Sequence, residues 1–448
     1  MRTLFLFALP TLGANVLQSL NGTINAIWIG NFLGEAALAA TSNANILMFL
    51  MFAAVFGLAI ATTILVGQAI GRRDTELARR TTGTSFTLVF GLGILTALLG
   101  WAFAPQLLRA LGTPASAYGL ALDYTRIIFI GMPFTFLTVL LSSAMRGAGD
   151  AVTPLRGMIL NVVLDAGLNP LFIRGFGPIP ALGIAGSATA TLIAGFTTSI
   201  FLIVYIYRKD LLLRLKGSEL AYLKPDAALM KQIIGRGVPM GLQMVVLSAG
   251  MLAMIRLVNR FGVDTTAAYG AIGQLWGYIQ MPALAIGAGA SAMAAQNIGA
   301  GKWDRVERTA WAGSAINLAL TGAMVVVISL VDRPIIGLFL TPSSPAVPIA
   351  VHIHLLASWS FILFGVSMVL TSVIRASGTV IPPLVILFIA MFPARLGFAE
   401  LMLPRLGADA IWWAFPAGSV VSLVLTYAYY RYGNWRNMQM APRAVSAA

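Results

Sequence analysis

The chain of 448 residues is 58% hydrophobic and only 10% charged, which excludes a soluble globular domain, where charged residues approach a quarter of the total. Its formal net charge of +14 would suggest nucleic acid in a soluble protein, but here the basic residues follow a membrane, and no nucleic-acid partner is expected. With no cysteine and two histidines there is neither a disulfide framework nor a thiolate or histidine-rich metal site.

Apolar stretches of roughly 18–25 residues recur along the chain, each long enough for the ~30 Å hydrocarbon core of a bilayer. They fall at 5–30, 37–68, 81–104, 118–142, 154–174, 183–206, 236–259, 266–295, 309–331, 350–372, 381–403 and 411–431. These runs are continuously apolar, so they predict about twelve membrane helices and not the alternating strands of a barrel. The second and eighth are long enough to tilt or bend. The first contains Pro10 and lacks the short apolar region and small-residue cleavage pattern of a signal peptide, so it is expected to remain as a span.

Arg72, Arg73, Arg79 and Arg80 share one loop, Lys302, Arg305 and Arg308 share a later one, and Arg208, Lys209, Arg214, Lys216, Lys224, Lys231 and Arg236 crowd the centre of the chain. The span count places all of these on the side of both termini. The positive-inside rule then makes that side, and both termini, cytoplasmic. Paired Trp412 and Trp413 are expected in the interfacial aromatic belt, and Arg256, His352 and His354 near the ends of their spans.

An internal repeat organises the spans. "ALPTLGANVLQ" around Pro10 answers "GVPMGLQMVVL" around Pro239, at an offset of 229 residues; "GQAIGRRDTELARR" answers "AQNIGAGKWDRVER" at 228; "RGAGDAVTP" answers "RASGTVIPP" at 229. Three matches at nearly one offset indicate duplication, with six spans per half and the same orientation for both halves. The expected division is a lobe over 1–206, a cytoplasmic linker over 207–235, a second lobe over 236–431 and a cytoplasmic tail over 432–448. Two parallel lobes with an ionisable group at mid-depth imply transport by alternating access.

That group is Asp165, the one acidic residue well away from both ends of a span; Asp123, Asp332 and Glu400 lie near boundaries. A carboxylate at mid-membrane costs about 2.5–3.5 kcal/mol on insertion scales, so it should face a cavity or a partner. Asn161 precedes it by one helical turn and projects from the same face, where the pair can share a cation or a hydrogen bond. Two readings stand: Asp165 couples an ion, or it is a protonated acid bonded to Asn161 or Asn169 that locks helices together. In the second half Arg395 falls beside the corresponding place, since 395 less 229 is 166, and it is a candidate for binding anionic substrate groups. No phosphate-binding loop of the ATPase kind is present, so the implied transport is secondary.

"LNGTINAIWIGNFLGEAALAA", "GQAIGRRD", "RGAGDAVTP", "NVVLD" and "GIAGSATAT", in this order and over nearly the whole chain, resemble the multidrug and toxic compound extrusion (MATE) transporters, especially their DinF-like branch. The resemblance implies a V-shaped pair of six-helix lobes in the plasma (bacterial inner) membrane. It implies a monomer without cofactor that meets membrane lipid and exports organic, often cationic, small molecules in exchange for H⁺ or Na⁺. It further implies a cation site in the first lobe, possible for Na⁺ at Asp165, Asn161 and Thr191, with Ser187 adding a carbonyl or hydroxyl. Asn25 stands where the family generally has Asp, so the site keeps one carboxylate instead of two, which favours H⁺ as coupling ion. A flippase for a lipid-linked sugar or peptidoglycan precursor is the nearest alternative. An intramembrane transferase is a weaker one, because a solitary mid-depth Asp is poor catalytic equipment.

Overall fold

A computed structural model describes residues 1–177, 180–341 and 343–438; residues 439–448, within the expected tail, lie outside the described residues. The first half is built of α1 (Arg2–Leu33), α2 (Glu35–Gly71), α3 (Thr75–Ala110), α4 (Ala115–Gly147), α5 (Val152–Arg174) and α6 (Ile184–Arg208). The second holds α7 (Ala227–Val258), α8 (Val263–Gly299), α9 (Trp303–Leu330), a short α10 (Asp332–Ile336), α11 (Ala346–Ala357), α12 (Ser360–Arg375), α13 (Ile381–Ile389), α14 (Gly397–Leu406) and α15 (Asp409–Tyr432). Among the described residues ten helices are long and apolar enough to cross a membrane by themselves, and α11 with α12 makes an eleventh, bent by 46°. Helix α8, at 37 residues, has the length of a span but is less apolar, since Gln274, Gln280, Gln296 and several glycines dilute it. Among the described residues the chain is thus a helical, multi-pass membrane protein, with ten or eleven helices that qualify as spans against the about twelve expected from its sequence.

Two compact units form, one of residues 13–241 and the other of residues 1–12 with 242–448. The chain passes between them within α1, after Leu12, and within α7, after Gly241; each point lies two residues beyond a proline, Pro10 or Pro239. Lipid gives little hydrophobic drive for helix association, so close packing of small residues and interhelical hydrogen bonds must hold each unit. In the first unit a Cβ on Gly147 would lie 2.5 Å from the Thr63 carbonyl, and one on Gly186 would lie 2.3 Å from the Phe172 carbonyl. Glycine therefore brings α4 onto α2 and α6 onto α5. Thr63 Oγ1 donates to the Ser143 carbonyl at 2.8 Å, and the Thr62 and Ser85 hydroxyls meet at 2.9 Å to tie α2 to α3.

The segment after α6 is strapped along α3. Arg79 pairs with Glu219 and donates to the Leu212 carbonyl, Thr87 Oγ1 donates to the Leu223 carbonyl at 2.6 Å, and Arg80 pairs with Asp226 at 2.6 Å. Asp226 also accepts from the Ala228 and Leu229 N–H groups, capping the first turn of α7.

In the second unit Trp276, Phe361, Phe415 and Trp412 build an aromatic core with Tyr269. This corrects the interfacial expectation for Trp412, which is 1% exposed while Trp413 is 40% exposed. Adjacent residues on a helix point about 100° apart, so only one of the two can face lipid. Between α13 and α14 the chain takes a π-helical turn over Ala390–Leu396, which contains Pro393 and Arg395. Such turns occur mostly as bulges within α-helices and often at functional sites.

Candidate functional site

Asp165, in α5, is fully buried, and its carboxylate is the hub of a polar cluster drawn from three helices. Oδ2 accepts from Asn21 Nδ2 at 2.7 Å and from Asn25 Nδ2 at 2.8 Å, two side chains one turn apart on α1. Oδ1 accepts from Asn169 Nδ2 at 3.0 Å, one turn along α5, and from Thr191 Oγ1 at 3.0 Å on α6. Asn169 Nδ2 further donates to Asn25 Oδ1 at 3.1 Å, which closes the ring between α1 and α5. Each hydrogen bond to a charged group is worth about 1.5–3 kcal/mol, so four of them offset much of the cost of keeping a carboxylate in this place. Tyr124 of α4, itself buried, lies within electrostatic reach of the carboxylate.

The structure therefore joins Asp165, Asn25 and Thr191, brings in Asn169, which the sequence offered as a hydrogen-bond partner, and adds Asn21. Asn21 was readable as the residue one turn before Asn25 on the same face, but only the packing of α1 on α5 selects it. Asn161 is half-buried one turn before Asp165 and makes no hydrogen bond to it among the described residues. Ser187 is buried; its carbonyl accepts from Thr191 Oγ1 at 3.3 Å, whereas its own hydroxyl finds no partner.

Two further atoms are buried without a partner, Asn21 Oδ1 and Asn169 Oδ1. Both belong to amides whose nitrogen already donates to the carboxylate. Rotating such an amide by 180° turns an acceptor toward Asp165 in place of a donor. The cluster has two chemical settings as a result. With N–H groups inward it holds a carboxylate; with amide oxygens inward it suits a carboxylic acid proton or a small cation. A Na⁺ ion could be held by Asp165, a turned amide oxygen and the Thr191 or Ser187 hydroxyl.

Arg395 presents the opposite picture. It is 8% exposed, its guanidinium lies 4.5 Å from the centre of the Phe415 ring, and Tyr269 is within electrostatic reach. Nε is buried without a partner, and among the described residues no carboxylate or hydrogen-bond acceptor meets the side chain. Glu400 is exposed. A cation–π contact returns about 2 kcal/mol when desolvated, against several kcal/mol for taking the charge out of water. Elsewhere, Arg256 is exposed, His352 pairs with Asp409 at 2.8 Å, and His354 is buried between the Ser329 and Ser358 hydroxyls.

An all-helical set of membrane spans with a buried carboxylate inside the first half, taken with the relatives below, defines a membrane transporter and not an enzyme. The family model for MatE matches residues 10–171 and again residues 239–400, two ranges offset by the 229 residues of the internal repeat. The chain belongs to the MatE family. It is similar to the probable multidrug resistance protein YoeA of Bacillus subtilis (strain 168), 35% identical over 98% of this chain and 95% of that one. It is also similar to the probable multidrug resistance protein YpnP of the same strain, 31% identical over 98% and 97%. Its fold matches a crystal structure of a MATE protein in complex with MaD3S, with a TM-score of 0.88 at 21% identity over 96% of this chain and 95% of that one.

Proposed function

We propose that this transporter exports organic, often cationic and amphiphilic, compounds by secondary antiport, exchanging them for H⁺ or Na⁺ through alternating access. The names of its relatives as multidrug resistance proteins support the substrate class. The reading takes residues 1–206 and 236–431 as the two lobes, 207–235 as a cytoplasmic linker, and both termini as cytoplasmic in the plasma membrane of a bacterium.

The observation that carries the coupling role is the ring of four donors around a fully buried Asp165. A purely structural acid would need a fixed acceptor for its proton; this one is surrounded by donors attached to amides that can present either end. Asp165 is the group that gives up and regains the coupling ion, Asn21, Asn25 and Asn169 turn to suit its charge, and Thr191 follows with its hydroxyl. H⁺ is the principal ion in this reading. Asn25 offers the site a neutral amide, and a single carboxylate attracts Na⁺ more weakly than two would.

The test is transport of ethidium, a lipophilic aromatic cation, in proteoliposomes under separately imposed gradients. A pH gradient should drive uptake against concentration, and Asp165→Asn, inserted and folded, should abolish that drive. Flux that follows a Na⁺ gradient at clamped pH and ignores a pH gradient would sink the proton assignment.

A further inference from the structure

Arg395 is a charge at mid-span with nothing of opposite sign to meet it. Two other inward arginines make side-chain hydrogen bonds: Arg146 donates to Ser143 Oγ at 2.9 Å, and its repeat counterpart Arg375, whose Nε is also without a partner, donates to Gln243 Oε1 and Ser372 Oγ, both at 3.0 Å. Arg395 is more than nine-tenths buried, with Nε unpaired and no hydrogen bond to any described residue. The aromatic face of Phe415 beneath it stabilises the positive charge but accepts no N–H.

The surroundings are shaped to keep it there. The π-helical turn over Ala390–Leu396 carries the side chain inward, away from the route to an interface that a long arginine would otherwise take. Gly418 on α15 faces it closely: a Cβ at that position would sit 2.9 Å from the Ala390 carbonyl and 3.1 Å from Arg395 Nε. A bare glycine thus lets the guanidinium lie flat beside the helix, with Tyr269 within electrostatic reach. Buried charges in proteins are normally paired, and an intramembrane arginine without an internal partner marks a water-filled cavity or a substrate pathway.

We propose that Arg395, with Phe415 and Tyr269, forms an oxyanion-binding site in the second unit that takes the carboxylate of an aromatic amphiphile. The planar guanidinium offers a fork of N–H donors that matches the two oxygens of a carboxylate, Phe415 backs the guanidinium, and the partly exposed ring of Tyr269 is offered to the aromatic body. The inference rests on the export reading for its purpose, and it extends the substrates from cations to compounds that carry an acid.

Binding without any gradient tests it separately from transport. The purified full chain in phosphatidylcholine nanodiscs is titrated with 2-naphthoate and with methyl 2-naphthoate, which has the same rings and no charge. The acid should bind at least tenfold more tightly than the ester, and Arg395→Gln should remove that preference while leaving ester binding within twofold. Arg395→Lys, which keeps the charge and loses the fork, should retain part of it. Equal binding of acid and ester by the wild-type protein would overturn the proposal and needs no variant to fold. So would an acid preference that survives Arg395→Gln. In discs containing one-third phosphatidylglycerol the preference should persist. Its loss there, in the wild-type protein only, would assign the site to lipid phosphate and overturn the carboxylate. Acid binding as expected with no gradient-driven flux would leave this site standing and remove the export reading instead.

Discussion

Asp165 and Arg395 stand one position apart in the register of a duplicated chain and have been treated in opposite ways. The carboxylate is surrounded by four donors, whereas the guanidinium has an aromatic face and no acceptor. The difference teaches what each charge is for. A charge satisfied by rotatable amides can be discharged and restored inside the protein, which suits coupling; a charge left without a partner waits for something from outside, which suits binding.

Stripping donors from the satisfied charge should erase the contrast and give the largest effect. Asn21→Leu with Asn25→Leu leaves Oδ2 bare, and two hydrogen bonds to a charged group are worth about 3 kcal/mol or more. Proton-driven ethidium flux should fall about a hundredfold, by the same conversion of energy to rate. Asn25→Asp sharpens the comparison the other way by adding a second carboxylate: the variant should gain Na⁺-stimulated flux severalfold, and an unchanged ion profile would show that position 25 does not share the site. Thr191→Val removes a single donor from Oδ1, and the loss in flux should be about tenfold. Asn161→Leu should change flux less than twofold, because Asn161 gives the carboxylate nothing; a loss as large as that of Thr191→Val would place it in the site after all.

The smallest effect lies outside the spans. The Leu229 N–H, joined by the Ala228 N–H and Arg80, holds the Asp226 carboxyl below the usual carboxylate range despite some burial. A depressed carboxyl stabilises above its ordinary range and loses that contribution as the pH falls through it, so the strap on α3 should loosen only in acid. The pair is partly exposed, so the change is small. Amide hydrogen exchange at Ala228 and Leu229, corrected for intrinsic rates, should quicken below about pH 4 in the wild-type protein, and Arg80→Ala should shift that onset to higher pH.

Much of this was legible in the sequence for definite reasons. Continuous apolar runs have no other use than to cross a bilayer, and a repeated offset of 229 residues shows duplication without reference to structure. Asp165 stood out because a mid-span carboxylate is expensive, and Asn25 and Thr191 because of the family resemblance. Asn21 was hidden, since an amide one turn from another is common on any helix and only the α1–α5 packing gives it a partner. Asn161 makes no hydrogen bond to Asp165 among the described residues: a spacing of four residues puts two side chains on one face without making them touch. The bend between α11 and α12 has no proline or glycine to announce it. There the Phe361 and Ile362 N–H groups bond three residues back, to Ser358 and Trp359, instead of four. The π-helical turn that buries Arg395 is a matter of register within a span that reads as an ordinary apolar helix.

The central claim is that Asp165 exchanges one proton for substrate. It is tested most directly by adding ethidium to the purified protein in weakly buffered solution and measuring protons released. About one proton should be released per ethidium bound by the wild-type chain and none by Asp165→Asn. Release of the same number of protons by both, with ethidium bound by both, would contradict it.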